Sequence, residues 1–222
     1  MPEPTAVLFD MDGTLIDSEP IWFETEVALM AELGYELGPE HWPHVLGQPN
    51  EVACKYLLGV SGLPLPWQEL SSRIEAAMVP ILAQGVELLP GAKELLVELA
   101  AAGVPTALVS ASPRSIVDAC LGGIGADFFR HTVSGNDVAR AKPHPEPYLR
   151  AAELLGVPAG GCVVIEDSPI GTAAGAAAGC RVLSVPHAET VIPSHPRVTR
   201  VATLEGVDLA FLSALECRAS LM

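Results

Sequence analysis

Apolar positions along the chain follow two rhythms. From Ala6 to Phe9 they run without interruption and stop at Asp10, the pattern of a buried strand. Between Ile21 and Leu33 they recur every three or four residues, which predicts a helix with Ser18 as its N-cap and Gly34 at its end. No strand pattern follows until about Gly85. Segments near Pro39 to Leu46, Asn50 to Leu58 and Trp67 to Leu82 read as short helices punctuated by Gly and Pro. Beyond Leu88 the two rhythms alternate. A helix over Ala92 to Ala102, a strand over Pro105 to Ser110 and a helix over Arg114 to Leu121 come first. A short strand at His131 to Ser134, a helix at Glu146 to Leu155 and an apolar strand at Cys162 to Ile165 follow. The series ends with a helix at Pro169 to Ala178, a strand at Arg181 to Val185 and a closing helix at Asp208 to Leu215.

Strands that alternate with helices of about ten residues predict a parallel sheet covered on both faces. The expected fold class is α/β, a doubly wound parallel sheet with an inserted small α-helical cap domain. Residues 1–17 and 86–222 would form the core and residues 18–85 the cap, with linkers near Ile16 to Pro20 and Gly85 to Pro90. Gly171, Gly175 and Gly179 recur every four residues after the Cys162 strand, which predicts a helix packed closely against the sheet.

Composition narrows the function classes. Twelve basic residues against 27 acidic ones give a formal charge of −15, the wrong sign for a nucleic-acid surface. No apolar stretch reaches the roughly 18 residues of a membrane span, since Glu98 and Pro105 interrupt the best one. The first five residues lack the basic-then-apolar order of a secretory signal, so a cytoplasmic protein is expected. Five widely spaced cysteines without a C-x-x-C pair read as buried thiols rather than disulfides or metal ligands. Nothing in the chain calls for an obligate protein partner.

Four predicted strands end in polar residues: Asp10, Ser110, the segment leading to Lys142, and Glu166-Asp167. In an open parallel sheet these ends share one edge, where ligands bind. Asp10 and Asp12 are separated by one residue, so in extended chain both side chains face one reacting group. One carboxylate can attack as a nucleophile while the other, protonated, donates to a leaving oxygen. If the substrate is a phosphate, Ser110 and the N–H groups around Ala111 and Ser112 suit its oxygens, ahead of a helix start. Gly13 and Thr14 are further substrate-binding candidates in the turn after Asp10, and Trp22 is one in the cap. An acidic protein can hold a phosphate monoester only with local positive charge. Lys142 supplies one cation, and Asp10, Asp167 and Glu166 form an oxygen set suited to Mg²⁺. Even so the negative charges outnumber the positive, which favours a proton on one carboxylate, the state that Asp12 needs as an acid.

The segments Asp10-Met-Asp-Gly-Thr14, Ser110, Lys142-Pro143 and Glu166-Asp167-Ser-Pro-Ile-Gly171 resemble the four signature motifs of the haloacid dehalogenase superfamily. The likeness covers nearly the whole chain and is closest to members with a small helical cap between the first two motifs. The longer run from Asp10 to Pro20 is similar to that of sugar-phosphate phosphatases and β-phosphoglucomutase-like relatives. The resemblance implies an aspartyl-phosphate mechanism with Asp10 as nucleophile and Asp12 as acid and then base. It implies Mg²⁺ held by Asp10, the Asp12 backbone carbonyl and Asp167, with Glu166 either a ligand or acting through water. The implied substrate is a small phosphorylated metabolite. Asp12 argues against dehalogenation, since dehalogenating members lack the second acid. A phosphomutase is the alternative activity, but Trp22 stands where mutases carry a histidine, and residues 46–50 contain no arginine for a second phosphate. A phospho-accepting signalling domain is the alternative of another class, although such domains are shorter and have no cap.

Overall fold

The structure is a computed structural model that describes residues 3–45, 48, 50–187 and 190–215. Cys217, and Leu46 of the second predicted cap segment, lie outside the described residues. In chain order the regular elements are β1 (Ala6–Phe9), α1 (Glu19–Glu32), α2 (Trp42–Val45), α3 (Asn50–Ser61) and α4 (Trp67–Leu82). Then come α5 (Ala92–Ala101), β2 (Thr106–Val109), α6 (Arg114–Ile124), β3 (His131–Val133), α7 (Glu146–Leu155) and β4 (Cys162–Glu166). The chain closes with α8 (Pro169–Ala177), β5 (Arg181–Ser184), β6 (Val198–Arg200) and α9 (Leu209–Ala214).

The six strands form one sheet in the order β3-β2-β1-β4-β5-β6, and every pairing is parallel. β1 is central, flanked by β2 and β4, and its four residues are all buried. This is the continuous apolar strand that a sheet covered on both faces requires. Leu8, Val109, Val164 and Val182 meet Tyr148 and Ala151 of α7 and Ala174 of α8 in one hydrophobic core. β6 has no counterpart in the pattern reading. Its three residues are half-buried or exposed, so the sheet edge carries no apolar signature.

The chain divides into two compact units. One comprises the chain up to Asp17, Glu87–Ala111 and the part from Ile124 onward; it holds the sheet. The other comprises Ser18–Val86 and Ser112–Gly123. Most of α6 is therefore counted with the helical insert, a grouping set by tertiary contacts that no local pattern reports. In that unit α1 starts with Pro20 in its first turn and ends at Leu33, with Gly34 at φ 89° turning the chain away. Ser18 precedes α1 without capping it, because its backbone is already helical rather than in the extended form a capping hydroxyl needs. Ser168 does cap α8, accepting from Gly171 N–H at 3.0 Å.

No helix among the described residues is long and apolar enough to cross a membrane. Cys54, Cys120, Cys162 and Cys180 are all buried, and no disulfide joins them.

Candidate active site

Register sets the site. Phe9 pairs with Leu108 on one side and Ile165 on the other, so Asp10 and Glu166 leave the sheet at the same height. The chain after Asp10 turns back at once: Leu15 and Ile16 N–H both donate to Met11 C=O, and Ile16 bridges to Leu88. Gly13 sits in this turn at φ 79°, where a side chain would be strained and would also meet the Asp167 carboxylate and His187.

Lys142 is the hub. Its buried ammonium donates to Asp10 Oδ1 at 2.5 Å, Glu166 Oε1 at 2.8 Å and the Val109 carbonyl at 2.9 Å, which uses all three of its donors. The Tyr148 ring lies 5.0 Å from the same nitrogen, within cation–π range. Burial alone would lower the Lys142 pKa, but the charges of Asp10 and Glu166 outweigh it and hold the ammonium above its ordinary range.

Glu166 is fully engaged. Oε1 accepts from Lys142 and from Tyr148 O–H at 3.0 Å, and Oε2 accepts from Ser168 N–H and O–H, both at 2.9 Å. A carboxylate has about four acceptor positions, and here each has a donor. Asp167 is held differently. Thr14 donates to its Oδ1 at 3.1 Å, and His187 Nε2 stands 4.0 Å from its Oδ2. Asp12, half-buried, accepts from Ser110 O–H at 3.1 Å.

Asp10, Glu166 and Asp167 can each offer an oxygen, all within 4.8 Å of one another; among the described residues no other such cluster of acids, histidines and cysteines occurs. The donor set is entirely oxygen, which suits a hard cation such as Mg²⁺ bound through one or two carboxylates with waters completing the shell. Asp10 Oδ2 and Asp167 Oδ2 accept no hydrogen bond among the described residues, so they are the oxygens available to such an ion. The acids bear the strain of this crowding. Asp10 is pushed up to about 7, chiefly by burial and then by Glu166 and Asp12, against the opposing pull of Lys142. Asp167 is pushed up to about 9 by burial, Glu166 and Asp10.

The site thus gathers Asp10, Asp12, Gly13, Thr14, Ser110, Lys142, Glu166 and Asp167 in the sheet-bearing unit, with Ala111 exposed at its boundary. Ser112 and Trp22 belong to the helical unit, where Trp22 is half-buried on α1. Two participants were invisible to sequence reasoning. Tyr148 looked like one more apolar residue on the inner face of α7, and His187 lies in a loop with no pattern at all. Only Ser168, as a helix cap, carried a signal.

A family model of haloacid dehalogenase-like hydrolases matches residues 4–179. Hexitol phosphatase B of Escherichia coli (strain K12) is 34% identical over 220 residues, covering 96% of this chain and 95% of that protein. The crystal structure of CbbY from Rhodobacter sphaeroides in complex with xylulose-(1,5)bisphosphate superposes with a TM-score of 0.83 at 26% identity, covering 95% of this chain and 99% of that one. A haloacid dehalogenase family hydrolase from Deinococcus radiodurans R1, with bound phosphate and sodium, is 34% identical with a TM-score of 0.66, covering 90% and 91%. The chain belongs to the haloacid dehalogenase-like hydrolases and is an enzyme of that class.

Proposed function

We propose that this enzyme is a Mg²⁺-dependent phosphatase of small phosphorylated metabolites, sugar phosphates foremost, working through an aspartyl-phosphate on Asp10. The observation that carries the reading is the buried Lys142 ammonium held against Asp10 beside Asp167 in an all-oxygen cluster. A relative named hexitol phosphatase B and a CbbY structure holding xylulose bisphosphate support the substrate class.

Asp10 attacks phosphorus through a carboxylate oxygen while the bond from phosphorus to the leaving oxygen breaks, and Asp12 gives its proton to that oxygen. Asp12 then takes a proton from water, whose oxygen attacks the aspartyl-phosphate; the bond to Asp10 breaks and inorganic phosphate departs. Ser110, Thr14 and the N–H groups of Ala111 and Ser112 hold the phosphoryl oxygens, and Lys142 favours the ionised Asp10 and balances the transferring group. Glu166, whose acceptor positions are filled, positions Lys142 and the Ser168 turn. Asp10, Asp167 and the Asp12 carbonyl would hold a divalent cation, and the charge neutralisation at phosphorus is what it would supply when bound.

Phosphate release from a panel of phosphorylated sugars and polyols tests this reading. Asp10→Asn is expected to lower turnover by at least about a thousandfold with the fold retained, and chelation of divalent ions to silence the enzyme until Mg²⁺ is restored. Near-normal hydrolysis by Asp10→Asn, or activity indifferent to chelation, would overturn it.

A further inference from the structure

His187 brings an imidazole nitrogen to a cluster of oxygen donors within the sheet-bearing unit. Its Nε2 stands 4.0 Å from Asp167 Oδ2, while Thr14 holds the other oxygen of that carboxylate. This separation is too long for a direct hydrogen bond and suits one oxygen atom bonded to both groups. Gly13 keeps the gap clear. A Cβ at that position would lie 2.5 Å from Asp167 Oδ2 and 3.2 Å from His187 Nε2, filling the space that carboxylate and imidazole share.

The backbone delivers His187 to this place. β5 pairs with β4 through Ser184 and Glu166, and Val185 N–H extends the ladder to the Glu166 carbonyl at 2.7 Å. The chain therefore leaves β5 beside Asp167, and His187 follows two residues later. Its carbonyl accepts from Thr190 N–H at 2.9 Å, and the Thr190 carbonyl accepts from the Arg200 guanidinium on β6 at 3.1 Å. β6, which buries little, thus ties this segment to the sheet edge. The imidazole is 52% exposed, so packing in a core does not account for where it points.

The chemistry of the donor set says what the nitrogen can do. Asp10, Glu166 and Asp167 offer oxygens within 4.8 Å of one another, and His187 is not among them. Its nitrogen therefore reaches an ion at this cluster through an intervening oxygen. Mg²⁺ gives up its hydration reluctantly and keeps several waters when carboxylates bind it. A water polarised by such an ion is a strong donor, and a neutral imidazole nitrogen accepts from it. An imidazolium would do the opposite, pairing with Asp167 and repelling the cation. The two states predict opposite consequences of removing the ring.

Resting on the Mg²⁺ reading above, we propose that His187 is a positioning residue for the metal ion: its Nε2 accepts a hydrogen bond from a water of the ion's shell beside Asp167, and so tightens the site's hold on the ion. Its role is to keep the ion in place rather than to contact phosphorus.

Calorimetric titration of the metal-free enzyme with Mg²⁺, at one fixed pH and without substrate, tests this. His187→Ala is expected to raise the Mg²⁺ Kd roughly 10- to 100-fold, the usual effect of removing a hydrogen-bonding partner of a metal's ligand shell. His187→Gln, whose terminal amide places an acceptor oxygen near the position of Nε2, should recover most of that loss. Because the side chain is half-exposed, the Tm of both metal-free variants should match the wild type, so the change in Kd reports the site and not the fold. Unchanged binding in His187→Ala overturns the proposal. So does tighter binding, the result an imidazolium paired with Asp167 would give, and so does a Gln variant no better than Ala. Asp167→Asn separates this inference from the metal reading. If wild-type enzyme binds no Mg²⁺, or Asp167→Asn binds it as well as the wild type, the metal reading fails and this inference with it. If Asp167→Asn weakens binding and His187→Ala does not, only the role of His187 falls.

Discussion

The ammonium of Lys142 joins Asp10 and Glu166, two carboxylates that stand 156 residues apart in sequence and leave adjacent strands at one height. One cation therefore serves two buried anions. Removing one member of a buried ion pair costs about 3–5 kcal/mol because the remaining charge has no partner. Lys142→Met is expected to lose stability on that scale at neutral pH, together with turnover. The loss should shrink toward pH 5, where Asp10 can take up a proton instead. Denaturant titrations at the two pH values check this, and an equal loss at both would mean the site does not carry the charge assigned to it.

Gly171 and Gly175 share a face of α8 yet have different neighbours. A Cβ on Gly171 would overlap the Glu166 carboxylate, whereas one on Gly175 would sit 3.0–3.2 Å from Val164 and Val182. Gly179, at φ 85°, has nothing within 4 Å and serves the turn after α8 instead. Gly171→Ala must push Glu166 off its four donors, so turnover should fall at least about tenfold along with stability. Gly175→Ala is ordinary overpacking, expected to cost about 1–3 kcal/mol with turnover at saturating substrate largely kept. Parallel assays and melts of the two variants separate these effects.

The sheet was legible wherever a strand is buried on both faces. Ala6–Phe9 and Cys162–Glu166 are apolar runs bounded by polar residues, and the pattern reading placed both to within a residue. β6 escaped because Val198–Arg200 pairs at the sheet edge and buries little. The acids of the site were legible for the same reason the strands were: charges that close a buried strand stand out against it. Tyr148 was not, since an aromatic on an inward helix face reads as core until its hydroxyl is seen to reach Glu166. Glu26 did leave a trace, a carboxylate one turn before the buried Met30 on α1, but only the fold reveals that nothing satisfies it.

Thr25 gives a stability prediction independent of catalysis. Its hydroxyl is buried without a partner, an arrangement that costs about 1–3 kcal/mol in desolvation. Valine has the same shape and no hydroxyl, and both residues are β-branched, so helix propensity hardly changes. Thr25→Val is expected to stabilise the protein by about 1 kcal/mol, a rise in Tm of roughly 2–4 °C for a chain of this size. A drop in Tm would mean that the hydroxyl has a partner, such as an ordered water, that the protein's own groups do not provide.

The raised carboxyl pKa values fix the direction of the pH response. Burial, with the neighbouring acids, pushes Asp10 up to about 7 and Asp167 up to about 9, and burial with Glu19 pushes Glu26 up to about 7. In the unfolded chain these groups release their protons near pH 4. Between the two values the folded state binds more protons, so rising pH favours unfolding. The contribution of these three acids is whole below about pH 4. It is lost as the pH passes through about 7 for Asp10 and Glu26 and about 9 for Asp167. At the proposed metal site Mg²⁺ would need ionised oxygens and would displace the protons on Asp10 and Asp167, so its binding is expected to release protons and to strengthen with pH over the same interval. Metal-free enzyme should therefore melt at progressively lower temperature from about pH 5 to about pH 9, once titrations elsewhere are subtracted with an Asp10→Asn, Asp167→Asn double variant. The rise in Tm produced by saturating Mg²⁺ should widen across that range and vanish in the variant. A gap that stays constant with pH would show that the ion does not compete with protons for these two carboxylates.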